Sequence, residues 1–172
     1  MTSSNLPAQH LAIALSDERP DKLQESNLSD RSLESTANEV RILVVEDHEL
    51  ARKTICDLLR GEKGFEVICE ANNGREGARA AEKAQPDIVV LDVTMPILGG
   101  IEAAVRIRRM APRARIVFLS QHNSDKLAEA ALATGAHGYV VKSAAGTDLI
   151  PAIRAAVAGR KFVSRLASWG NR

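Results

Sequence analysis

Val40-Arg41-Ile42-Leu43-Val44-Val45-Glu46-Asp47 is an apolar, largely β-branched run that stops abruptly at two carboxylates. A continuous run of this kind suits a strand buried on both faces, as in a parallel sheet. The same pattern returns downstream in Phe65-Glu66-Val67-Ile68-Cys69, Ile88-Val89-Val90-Leu91, Ala114 to Leu119, and Gly138-Tyr139-Val140-Val141. Helical periodicity fills the gaps between these runs. Ala51, Ile55, Leu58 and Leu59 share one face of a first helix, broken over Gly61 to Gly64. Asn73, with Glu76 three residues on, predicts a capped second helix running to about Ala84, before Pro86. Ile101 to Met110 predicts a third, closed by Pro112, and Ser124 to Thr134 a fourth, capped by Ser124 and ended by Gly135. Leu149, Ile150, Ile153 and Val157 line a fifth, ended by Gly159.

Strand and helix therefore alternate five times, which predicts an α/β fold with a parallel sheet covered on both faces. Crossovers between such strands are right-handed, and one common doubly wound solution, the one expected here, has strand order 2-1-3-4-5. Residues 39–160 form this single (βα)5 domain. Residues 1–38, rich in Ser, Asn, Asp and Glu, hold too few apolar side chains to offset the entropy of ordering and are expected to form a disordered tail. Residues 161–172 are expected to be a short basic tail.

Composition narrows the function classes. Aromatic residues make up only 3% of the chain, so the core must be built from aliphatic side chains. Residues 39–158 hold sixteen acidic and sixteen basic side chains, which gives no general electrostatic pull toward nucleic acid. Cys56 and Cys69 lack metal-ligand spacing and sit among apolar residues, as small hydrophobic core residues do. No export signal and no run long enough to span a bilayer is present, so a cytoplasmic location is expected.

In a sheet of this kind ligands bind at the carboxyl ends of the strands. There the sequence places Glu46 and Asp47 after strand one, Asp92 after strand three, Ser120 after strand four and Lys142 after strand five. Crowded carboxylates repel, and a hard divalent cation such as Mg²⁺ relieves the repulsion through oxygen ligands. Lys142 can pair with a carboxylate and then with a phosphoryl group, and Ser120 can donate to a phosphoryl oxygen. A carboxylate in that setting can act as a nucleophile toward phosphorus, giving an aspartyl phosphate.

These motifs resemble the receiver domain of bacterial two-component response regulators. The resemblance rests on Ile42 to His48, Leu91-Asp92-Val93-Thr94-Met95-Pro96, Gly100-Ile101-Glu102, Leu119-Ser120, and Gly138 to Lys142. It implies a flavodoxin-like fold with Asp92 as phospho-acceptor. It also implies Mg²⁺ held by Asp47 directly, by Glu46 often through water, by Asp92 and by the backbone carbonyl of Thr94. Ser120 becomes the switch hydroxyl, Tyr139 the switch aromatic and Lys142 the phosphate-contacting lysine. The acidic pair is Glu-Asp rather than Asp-Asp, a variation the family accepts. Gly99 stands where Asp or Asn is common, which is expected to loosen the loop after Asp92. Gln121 replaces a frequently small residue, which is expected to restrict access and alter phosphoryl lifetime. His48 and His122 flank the site as solvated loop residues rather than ligands.

The implied partners are a sensor histidine kinase or phosphotransfer domain and a downstream protein target. A homodimer could form through the face made by the fourth helix, fifth strand and fifth helix. The stretch from Ala155 to Phe162 resembles regulators carrying a LuxR-type DNA-binding domain, but only fourteen residues follow Ala158. A stand-alone receiver without direct DNA binding is therefore expected, with a truncated LuxR-type regulator or an inert receiver-like interaction module as the alternatives. A phosphatase-like hydrolase is disfavoured because Thr94 stands where such enzymes usually place a second Asp.

Overall fold

A computed structural model describes residues 39–164. The expectations for residues 1–38 and for residues 165–172 lie outside the described region. Five strands and five helices alternate as the sequence predicts: β1 (Val40–Val45), α1 (Glu49–Arg60), β2 (Phe65–Ala71), α2 (Gly74–Ala84), β3 (Ile88–Asp92), α3 (Gly100–Met110), β4 (Arg115–Ser120), α4 (Asp125–Ala133), β5 (Gly138–Val141) and α5 (Ala145–Val157). A 3-10 turn over Lys142–Ala144 leads into α5.

The sheet is parallel, with order β2-β1-β3-β4-β5, and continues past the expected end of the domain. Phe162–Val163 forms a sixth strand, β6, against β5, and Ser164 behind it is fully buried. The sheet thus runs past residue 160, where the domain was expected to end. Two residues after Gly159-Arg160-Lys161 carry no periodicity, and edge pairing alone makes them a strand.

Period-two alternation sorts the strand side chains into two layers. Leu43, Val45, Val89, Leu91, Phe118 and Tyr139 face α2, α3 and α4, and Ile42, Val44, Val90, Leu119 and Val140 face α1 and α5. The first layer meets helices faced largely with alanine, among them Ala78, Ala81, Ala103, Ala104, Ala128 and Ala131, so those helices can approach the sheet closely. On α1 the buried stripe is Ile55, Cys56 and Leu59, which confirms Cys56 as a core residue, whereas Cys69 is only half-buried. On α5 the stripe is Leu149, Ala152, Ile153 and Ala156. Val157, expected on that face, is 38% exposed, at the edge of the stripe whose last buried member is Ala156.

The caps agree with the sequence in part. Asn73 Oδ1 accepts from the Glu76 amide at 2.9 Å, as its position predicts. Ser124 occupies the N-cap position of α4 but makes no capping bond with its side chain. His48 caps α1 instead of standing free in a loop, its Nδ1 accepting from the Ala51 amide at 3.4 Å. Among the described residues no helix is long and apolar enough to cross a membrane.

Candidate functional site

Parallel strands end together, and here they end at one cluster. Glu46 and Asp47 follow β1, Asp92 closes β3, Ser120 closes β4 and Lys142 follows β5. Oxygen atoms of Glu46, Asp47 and Asp92 lie within 4.8 Å of one another. Glu46 and Asp92 are buried, while Asp47 is exposed. Lys142 Nζ reaches both buried carboxylates, at 2.7 Å from Glu46 Oε2 and 3.0 Å from Asp92 Oδ2. The sequence placed all five residues at one sheet edge. It did not disclose that one ammonium serves two carboxylates.

The close approach of α3 holds Asp92 in place. A Cβ on Gly100 would lie 2.0 Å from the Asp92 carbonyl oxygen, so only glycine lets the helix start here. The Gly100 amide donates to the Val93 carbonyl at 2.9 Å, and the Thr94 amide donates to Asp92 Oδ1 at 3.3 Å. The loop between them passes through Ile97, whose φ of 70° is rarely adopted by a β-branched residue.

Burial dominates the electrostatics. It raises the proton affinity of Glu46 and of Asp92, and although Lys142 pulls both the other way, the net shift of each is upward. Burial also works against the Lys142 ammonium, but the Glu46 and Asp92 carboxylates outweigh it and hold the lysine charged. Three carboxylates and one ammonium leave a surplus of negative charge that a divalent cation could offset. Glu46 Oε2 is buried without a well-directed hydrogen bond, despite its ion pair with Lys142. The side-chain donors of this three-carboxylate group are all hard oxygens, which suits Mg²⁺. A cavity of about 180 Å³ opens over the cluster, with Thr94, Gln121 and His122 on its rim.

The expected switch pair is joined through a residue whose part sequence reasoning missed. The His122 amide donates to Ser120 Oγ at 3.0 Å, and the Tyr139 hydroxyl donates to the His122 carbonyl at 2.9 Å. The backbone of one residue thus touches both side chains, and a backbone role of this kind leaves no signal in residue identity. The Tyr139 side chain is fully buried. Burial raises the proton affinity of its phenol, opposed by the neighbouring Ser120 hydroxyl. Gln121 is exposed and stands between this cavity and a larger one beside α1.

A five-unit parallel α/β sheet with an acidic, lysine-bearing cluster at its carboxyl edge defines a class of aspartate-centred switch domains. Residues 42–154 match the family described as response regulator receiver domain. The chain belongs to that family, whose members are signalling modules of two-component systems. Phosphorylation on aspartate and use of Mg²⁺ are general to it. The chain is 35% identical over 125 residues to the response regulator GacA of Pseudomonas viridiflava, a match covering 73% of this chain and 58% of that protein. It is 33% identical over 125 residues to the response regulator UvrY of Escherichia coli strain K12, covering 73% of this chain and 57% of the relative. The chain thus spans little more than half the length of these relatives. Among solved structures it is similar to a LuxR-family two-component response regulator from Aurantimonas sp. SI85-9A1, with a TM-score of 0.72, 38% identity, and coverage of 76% of this chain and 93% of that one. It is also similar to the isolated REC domain of RcsB from Salmonella enterica serovar Typhimurium in the presence of phosphomimetic BeF3-, with a TM-score of 0.70, 25% identity, and coverage of 76% and 97%.

Proposed function

We propose that Asp92 accepts a phosphoryl group from a histidine kinase or phosphotransfer partner and that the α4-β5-α5 face carries the resulting change to a downstream protein. The observation that carries this reading is the double ion pair of Lys142 with Glu46 and Asp92 beneath an open cavity. Glu46, Asp47, Asp92 and the backbone carbonyl of Thr94 would hold Mg²⁺. The cation, when bound, supplies charge neutralisation for the transferring phosphoryl oxygens. Lys142 restrains the buried carboxylate before reaction and is placed to pair with the phosphoryl group afterwards. Ser120 keeps its hydroxyl hydrogen free while accepting from His122, so it can donate to a phosphoryl oxygen. Tyr139, tied to Ser120 through His122, links that event to β5. We place the protein in the cytoplasm, where such partners would meet it.

We propose protein contact as the output, with no direct DNA binding by the described domain. A homodimer through α4-β5-α5 would have to include β6, which occupies the outer edge of β5. Incubation with acetyl phosphate and Mg²⁺ is expected to give a hydroxylamine-labile acyl phosphate. Chelation of the cation is expected to suppress it. A hydroxylamine-stable adduct, or labelling indifferent to the cation, would exclude the reading.

A further inference from the structure

We propose that Phe162–Ser164 is a latch on the edge of β5 whose residence is coupled to the state of Asp92; the proposal rests on the phospho-acceptor reading above. The latch is held by few bonds. The Phe162 amide donates to the His137 carbonyl at 2.9 Å, and the Ser164 amide donates to the Tyr139 carbonyl at 2.9 Å. The Ser164 side chain extends the ladder where the backbone does not: its Oγ accepts from the Val141 amide at 3.2 Å and donates to Asp148 Oδ2 at 2.6 Å. Phe162 packs on the layer containing Val140 and Ile153, and Val163 packs on the layer containing Tyr139. A strand of two residues with half-buried side chains has little packing of its own, so its open state lies close in free energy to the docked one.

Both groups that respond to Asp92 end on this edge. Lys142, paired to Asp92, directly follows Val141, whose amide holds Ser164. Tyr139, whose carbonyl accepts from Ser164, is tied by its hydroxyl through His122 to Ser120. A phosphoryl group that engages Lys142 and Ser120 therefore restrains β5 from two points, and a restrained β5 presents a better-ordered edge to β6. Reciprocity requires that a docked β6 strengthen binding at Asp92 by the same factor.

Amide exchange of the full chain, with Mg²⁺ alone and with Mg²⁺ plus beryllofluoride, tests the coupling, while fluorine resonance monitors binding at Asp92. The latch predicts that beryllofluoride slows exchange at Val141 and Ser164 about tenfold. It also predicts that Ser164→Ala or Asp148→Ala abolishes the slowing and weakens beryllofluoride binding severalfold, with Asp92 still occupied at saturation. Bound beryllofluoride with unchanged exchange at both amides in the wild type overturns the latch and leaves the phospho-acceptor reading standing. Failure of beryllofluoride to bind removes both.

Discussion

Lys142 carries two carboxylates at once, and that fixes how the site behaves without a cation. Glu46 and Asp92 bind protons more tightly folded than their ordinary values of 4.5 and 3.8 would give, chiefly through burial. A raised carboxyl pKa means that the folded state holds protons the unfolded chain has released. Stability therefore falls as pH climbs from those ordinary values through the raised ones. Lys142 has the same sign at higher pH: its stabilising share is present below 10.5 and lost as pH rises through its raised folded value. In cation-free buffer near neutrality, Asp92→Asn should raise the unfolding free energy by about 1–3 kcal/mol, since it removes a buried charge and leaves Lys142 paired to Glu46. Mg²⁺ should narrow that difference by stabilising only the wild-type site. Denaturant titration checks both, and a destabilised Asp92→Asn protein would contradict the electrostatic picture. Ile97 poses a separate residue-scale question. Its left-handed backbone costs roughly 1–2 kcal/mol, while its side chain is 69% exposed and contributes little packing. Ile97→Asn should therefore shift the denaturant midpoint upward, by about 1 kcal/mol in stability. A downward shift would show that the isoleucine makes a contact outweighing its strain.

At the scale of elements, the strands and most helix faces were legible because burial on both sides of a parallel sheet demands unbroken apolar runs, and β1, β3 and β4 supply them. The carboxyl-edge rule then located Glu46, Asp47, Asp92, Ser120 and Lys142 without any structure. Three features were not legible, each for a physical reason. β6 is too short for periodicity, the His122 link is backbone, and the left-handed turn at Ile97 runs against the preference of its side chain. Nor did the sequence show how closely α3 approaches β3. Gly100→Ala would force the start of α3 away from the Asp92 carbonyl, 2.0 Å from the new Cβ. The expected cost is about 1–3 kcal/mol of stability. Displacement of Asp92, the proposed nucleophile, should also slow phosphoryl transfer by up to about a hundredfold. A variant with wild-type stability and rate would show that the loop absorbs the methyl group without moving Asp92.

For the whole molecule, the fold gathers the carboxyl ends of β1, β3, β4 and β5 into one cluster, and in the proposed function a change there passes along β5 to the α4-β5-α5 face. The sheet supplies rigidity, with the side chains of β3, β4 and β5 in both layers almost all buried, and the proposed displacement falls on the loops at the carboxyl edge and on the short β6. Such a design needs only a small shift between two packings to change what a partner meets. Everything in it depends on Asp92 being the residue that is modified. The decisive measurement is intact mass after incubation with Mg²⁺ and acetyl phosphate, on wild type and Asp92→Asn in parallel. One phosphoryl group added to the wild type and none to the variant is the predicted result. Equal labelling of the two, or no adduct on the wild type, would contradict it.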